Sequence, residues 1–350
     1  MLKLYAERSH YAKEYRAYLM PLLRPFWKDE PFTDIEREQI YGSFVRNIKL
    51  VEQPTEADIC VLPMSWLYYY RTRSLPQAVG FVDMARAAGK AVVSWQGGDF
   101  TVPVPVQGVY VFSANGYQSR RRPLQFALPS FFRDPLIELG QTDIIIRSRQ
   151  DRPVIGFCGQ ANDSLAQKIG KPIATLWKNL KFHSGFSYFE PHTLFPPTYL
   201  RARTLAILEN SPQLITKFIK RNRYRGGTEK PQDILRHEFL YNIQQTDYTV
   251  CVRGTANYSQ RFYETLALGR IPIFINTDCI LPYDHRIVWP DYCVWVEQKE
   301  LAELPQKVAH FHNNLDETTF QTWQRRCRQL WEERLCLAGF HTHFAEHFAF

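Results

Sequence analysis

Three side chains that could do chemistry stand close together in the stretch "TVCVRGTANYSQRFYETLALGRIPIFI", residues 249–275: Arg253, Arg261 and Glu264. Two guanidinium groups suit the oxygens of a diphosphate, and a carboxylate one helical turn later suits the hydroxyls of a ribose, which need an acceptor. Phosphate plus ribose means a nucleotide. Arg261 and Glu264 are three residues apart and so share a helix face. A plain surface ion pair has the same spacing, worth only about 0.2–0.5 kcal/mol.

The elements that must hold these groups follow from the same stretch. "TVCV" is β-branched and apolar, as a central parallel strand requires, and Gly254 permits a sharp turn out of it because it has no Cβ. Asn257 or Ser259 supplies an oxygen to cap the helix "QRFYETLAL", Gly269 closes it, and "IPIFI" is the next buried strand. This is one right-handed βαβ crossover. Its loop lies at the carboxyl end of a strand, where open α/β sheets bind ligands, and the helix start beyond it offers free N–H groups to an anion.

The rest of the chain repeats the alternation. "LKLYA", "ADICVLP", "KAVVSW", "VYVFS" and "LQFALP" read as short strands, with "PQAVGFVDMARAAGK" a helix that stops at a glycine. A polar segment over 140–153 precedes a fresh strand, "VIGFCG". A helix over 197–220, a Gly- and Arg-rich loop and a helix over 231–244 lead into the opening stretch, and the strand "YCVWVEQ" follows it. The expected class is α/β, with a first domain over 1–150, a second over 151–310, and a helical segment over 311–350 that packs back across the first domain. A chain of 350 residues is long enough for two such cores.

Composition bounds the partners. The net charge of +8 favours an anionic one: a phosphorylated substrate, nucleic acid or a lipid headgroup surface. Basic runs at Arg120–Arg122 and at "KRNRYRGG", residues 220–227, read as solvated loop charge or as contacts for that anion. Nucleic acid is disfavoured, because the basic residues are not interleaved with aromatics in any reader motif. Seven scattered cysteines without a C-x-x-C pair read as reduced core residues of a cytoplasmic protein, Cys158 among them. The start "MLKLYAERSHYAKEYRAYL" does not read as a leader, and no segment is apolar enough to span a bilayer. Peripheral contact with the inner membrane surface fits the charge.

The C-terminal stretch resembles the signature of the exostosin family, glycosyltransferase family 47. The residues that carry it are "CVRG", Ser259-x-Arg261 with Glu264 three residues on, "GRIPI", and "LPY" followed by Trp289. "QPTEADICVLP", residues 53–63, and "RPVIGFCG", residues 152–159, resemble two upstream segments of the family in the right order. Two features depart from it: "SWQGGDF" stands where the family has an H-D-W segment, and the family's membrane anchor has no counterpart. The cysteines and the start make it a prokaryotic, cytoplasmic member, and the resemblance implies the GT-B fold, two Rossmann-like domains facing across a cleft. It implies inverting transfer from a nucleotide sugar, mostly UDP-linked, without a metal or other cofactor, and the sequence has no D-x-D metal motif. Carried over residue by residue, it assigns donor binding to Gly159, Gln160, Arg253, Gly254, Ser259, Arg261 and Glu264.

Inverting transfer needs a base for the acceptor hydroxyl, which is a glycan, a lipid-linked glycan or a small molecule. Asp99 in the loop "QGGDF" is the first candidate and His10, after the first strand, the second; each could equally be a turn residue. "SWLYYY", residues 65–70, suits stacking on sugar rings and core packing alike. His343 and His347 share a helical spacing but lack a third ligand, so no metal site is expected. The rival reading from another class is a nucleotide-sugar or glycan binding protein that keeps the fold and lacks the base.

Overall fold

The computed structural model describes residues 1–27, 33–162, 164, 169–221 and 231–348. Most of the basic run 220–227 lies outside them. Two parallel sheets organise the chain. The first contains β1 (Leu2–Tyr5), β2 (Ile48–Leu50), β3 (Ile59–Val61), β4 (Ala91–Gln96), β5 (Tyr110–Ser113) and β6 (Gln125–Ala127), in the order β2-β1-β3-β4-β5-β6. The second contains β7 (Val154–Gln160), β8 (Ile215–Arg221), β9 (Tyr248–Cys251), β10 (Ile271–Asn276) and β11 (Val294–Glu297), in the order β11-β10-β9-β7-β8. Every pairing is parallel; α-helices lie in the connections β1–β2, β3–β4, β6–β7, β7–β8, β8–β9 and β9–β10, whereas β2–β3, β4–β5, β5–β6 and β10–β11 are joined by loops and short turns. This is the pair of α/β domains that the GT-B expectation requires.

Helices α1 (Asp34–Tyr41), α2 (Trp66–Arg71) and α3 (Leu75–Ala87) belong to the first sheet, and α4 (Pro135–Glu138) leads out of it. Helices α5 (Lys171–His183), α6 (Pro197–Glu209), α7 (Gln232–Gln244), α8 (Gln260–Ala267) and α9 (Leu304–Asn313) belong to the second. Then α10 (Glu317–Leu330) packs on α8, and α11 (Leu337–Thr342) returns to the turn at residues 43–47 of the first domain. There Phe340 and Phe344 pack against Phe112 of β5.

One element differs from the sequence reading. The helix expected over 197–220 ends at Glu209, and residues 215–221 form β8 at the edge of the second sheet. The alternation of apolar and basic residues in "ITKFIKR" suits a strand with one neighbour and one open side. The cysteines are free, and all except Cys336 are buried. Among the described residues no helix is long and apolar enough to cross a membrane.

Candidate active site

The strand, loop and helix read from the sequence are β9, residues 252–259 and α8. All of β9 is buried. On α8, six consecutive residues from Phe262 to Ala267 are buried, so the helix is enclosed on every side beyond its first two residues, of which Gln260 is exposed. Ser259 occupies its N-cap position but makes no side-chain cap, so the first-turn N–H groups other than that of Phe262, which donates to Ser259 O at 3.0 Å, keep the capacity to bind an anion. Asn257, the other cap candidate, is engaged elsewhere.

Arg253 leaves the end of β9 and reaches the first domain. Its Nη1 donates to the Tyr117 hydroxyl at 3.0 Å and to Thr193 Oγ1 at 3.3 Å, and its Nη2 donates to Thr255 O at 3.0 Å. The guanidinium stands 5.6 Å from the Tyr117 ring centre. Two of these partners are hydroxyls, which a phosphate oxygen can replace at little cost. Gly254 lies beside it, with its N–H on Tyr258 O.

Arg261 takes a different position from the one its spacing suggested. Its guanidinium lies 4.1 Å above the Phe157 ring and donates to Cys158 O at 2.7 Å and Val250 O at 3.4 Å, tying α8 to the ends of β7 and β9. Burial lowers its pKa, partly offset by Cys251 and Glu264. A Cβ on Gly159 would stand 2.6 Å from Arg261 Nη2, so the glycine leaves the space that the guanidinium fills. Gln160 follows, its carbonyl accepting from Arg201 Nη1 at 3.3 Å, while Arg201 Nη2 holds Arg253 O at 2.8 Å.

Glu264 is 2% exposed, and its Oε1 accepts from Arg236 Nη1 at 2.5 Å and from Gln260 Nε2 at 2.9 Å. Arg236 also grips both oxygens of Glu138, each at 2.9 Å, so α4, α7 and α8 meet at one guanidinium. Glu264 does not pair with Arg261 as a surface ion pair would.

The first domain contributes the loop after β4. Asp99 is exposed there; its carbonyl accepts from Asn115 Nδ2 at 2.8 Å. Phe100 packs edge-on to His192, 4.7 Å between ring centres, and Lys178 lies 5.7 Å from the Phe100 ring. His192 was not found from the sequence. Its Nε2 is buried without a partner among the described residues. Burial first, then the charges of Arg253, Lys178 and Arg120, lower its pKa to about 4, so the ring is neutral near pH 7. His10, by contrast, is buried with its ring edge-on to Tyr69 and Phe81 and Nδ1 2.8 Å from the Tyr69 hydroxyl. Burial lowers its pKa too, so the structure gives it the surroundings of a core histidine. His347 is likewise core, packed among Phe112, Phe126 and Tyr283.

The run Arg120–Arg122, with Arg120 exposed and the other two half-buried, is engaged at the domain junction. Arg120 donates to Pro191 O at 3.1 Å, Arg121 pairs with Asp284 at 2.5 Å, and Arg122 pairs with Glu190 at 2.8 Å. All three grip the second domain. Asn257 completes the junction: its N–H donates to Asn115 Oδ1 at 2.7 Å and its Nδ2 to Gly116 O at 2.8 Å. No local spacing announces such contacts, because the partners lie 68 to 163 residues apart.

No family model matches the chain. Over short stretches it is similar to curated glycosyltransferases. A probable glucuronosyltransferase of Oryza sativa subsp. japonica is 33% identical over 66 residues, 19% of this chain and 16% of that protein. Exostosin-1 of Drosophila melanogaster is 27% identical over 73 residues, 21% and 10% of the two chains. A probable β-1,4-xylosyltransferase of Arabidopsis thaliana is 33% identical over 66 residues, 19% and 16%. These are exostosin-type relatives, and each match spans less than a fifth of the relative's length. Among solved structures, a glycosyltransferase from Rickettsia africae ESF-5 aligns over 99% of this chain and 97% of its own, at 10% identity and a TM-score of 0.41. TarM aligns over 83% and 54%, at 10% identity and a TM-score of 0.35.

Proposed function

We propose that the chain is an inverting glycosyltransferase that moves a sugar from a UDP-linked donor to a glycan or other hydroxyl acceptor, without a divalent metal. The observation that carries the reading is the end of β9, where Arg253 and the uncapped start of α8 meet the first domain, Arg253 at the Tyr117 hydroxyl and Asn257 N–H at Asn115, whose Nδ2 holds Asp99 O. Arg253, Ser259 and the α8 N–H groups take the diphosphate and stabilise it as it departs. Arg261 acts from beneath, holding Gly159 and Gln160 in place for the nucleotide. Glu264 Oε1 is committed to Arg236 and Gln260, and Oε2 makes no bond among the described residues, which leaves it to accept from the ribose. Asp99 takes the acceptor proton as the sugar passes in a single displacement.

Titration calorimetry with UDP, GDP and their sugar conjugates tests the donor site. UDP compounds should bind, and Arg253→Ala should weaken them by about 10- to 100-fold, the loss of a charged hydrogen-bonding partner. If no nucleotide binds, the assignment falls. Donor hydrolysis in excess EDTA then separates enzyme from binding module: turnover lost in Asp99→Asn supports the base. Tight binding without turnover would favour the non-catalytic reading.

A further inference from the structure

Helix α5 is the one helix of eight or more residues among the described residues with no buried residue, yet its sequence "KPIATLWKNLKFH" is not polar. Pro172, Thr175, Asn179 and Phe182, half-buried, mark its inner side. The large apolar residues point elsewhere. Ile173 is 52% exposed, Leu176 47%, Trp177 64% and Leu180 50%, with Phe186 85% in the turn that follows. At about 100° per residue, Ile173, Leu176, Trp177 and Leu180 fall within an arc of about 100°, one continuous apolar face. Such a cluster on one element is not the scattered exposure of an ordinary surface.

The charge around it has one sign. Between Gly170 and Phe189 the chain carries Lys171, Lys178 and Lys181 and no carboxylate. An exposed apolar face holding a tryptophan, flanked on one side by Lys181 whose stem can lie along it, with exposed Lys178 and Lys171 further round the same side, is the pattern of a helix that lies in the plane of a membrane interface. We propose that α5 docks this protein on an anionic lipid surface, burying Ile173, Leu176, Trp177, Leu180 and Phe186 in the headgroup boundary. Charge complementarity selects that occupant: the lysines find lipid phosphates, whereas a protein surface would have to supply both an apolar groove and a matched acidic rim. The net charge of +8 acts in the same direction.

Docking there also bears on the site. The inner side of α5 holds it, with Asn179 Nδ2 donating to His192 O at 2.8 Å and His192 N–H donating to Asn179 Oδ1 at 3.0 Å. On the glycosyl-transfer reading, on which this step alone rests, the bilayer lies beside the Asp99 loop, and the acceptor class it favours is one carried on a lipid.

Co-sedimentation with phosphatidylcholine vesicles, with and without phosphatidylglycerol, tests the docking. The full chain should pellet with the anionic vesicles and be released by salt. Trp177→Glu should reduce the bound fraction by about tenfold or more, and Lys171→Glu with Lys181→Glu should abolish the preference for phosphatidylglycerol. Both variants should keep the wild-type melting temperature and nucleotide affinity, so docking and donor binding can fail independently. No pelleting with anionic vesicles, or equal pelleting of Trp177→Glu, overturns the proposal. So does a dimer seen by light scattering that Trp177→Glu dissolves in a protein that ignores vesicles, because the face would then belong to a second copy.

Discussion

Gly159 and Arg261 show how a residue pair read as ligand-binding can work one layer further in. The sequence placed both at strand and helix ends, correctly, because a β-branched run before a glycine and a helix start after it are local signals. It could not say where a long flexible side chain would point. Arg261 folds back over Phe157 onto Cys158 O and Val250 O, and Gly159 vacates the space beside Nη2. Gly159→Ala should therefore push the guanidinium off Cys158 O and lose about 1–3 kcal/mol, the usual cost of overpacking a filled site. Nucleotide affinity should fall with it, since the backbone of Gly159 and Gln160 moves. Urea denaturation and calorimetry check both; an alanine variant with wild-type stability and affinity would show that the packing is slack. Lysine at 261 should not substitute, because a point charge cannot serve two carbonyls in the fork geometry.

At the scale of elements, α8 was legible whole, from its apolar strands on either side and its closing Gly269, whereas β8 was not. "ITKFIKR" follows a real helix closely, and its edge position is fixed by pairing with β7, a partner some sixty residues away in sequence. The return of the last helices was readable as amphipathicity; that they bring histidines into the first domain's core was not. His341 and His347 are both 0% exposed, and burial lowers each pKa to about 4. The unfolded chain keeps each near its ordinary 6.5, so between these values the unfolded state binds more protons. Their contribution is thus complete above about pH 6.5 and lost as pH falls towards 4, about 3 kcal/mol for each imidazole. The melting temperature should drop steeply across that window. His347→Phe, which suits the aromatic surroundings of Phe112, Phe126 and Tyr283, should flatten the slope by one imidazole's share. A slope identical to wild type would place the acid sensitivity elsewhere.

For the whole molecule the question is what holds two sheets at one junction, and magnitudes separate two answers. The Arg121–Asp284 and Arg122–Glu190 pairs keep 24–37% of each side chain exposed, so each contributes at most about 1 kcal/mol and less in salt. Asn257 is 0% exposed and bonds Asn115 and Gly116 of the first domain while Thr277 Oγ1 donates to its Oδ1 at 2.7 Å. Truncating it strands buried donors and acceptors at about 1–3 kcal/mol each. The buried amide should therefore dominate; the Asn257 backbone N–H, which alanine keeps, holds Asn115 Oδ1, and Asn115 Nδ2 in turn holds Asp99 O, so the loop that bears the proposed base sits at this same junction. Asn257→Ala should open the junction, seen as a larger radius of gyration by small-angle scattering, and should lower turnover more than donor affinity. Arg121→Ala with Arg122→Ala should leave the radius near wild type at about 0.1 M salt and, like wild type, nearly insensitive to about 1 M salt. If salt alone expands the wild type, or the double arginine variant opens more than Asn257→Ala, the surface ion pairs rather than the buried amide hold the domains together.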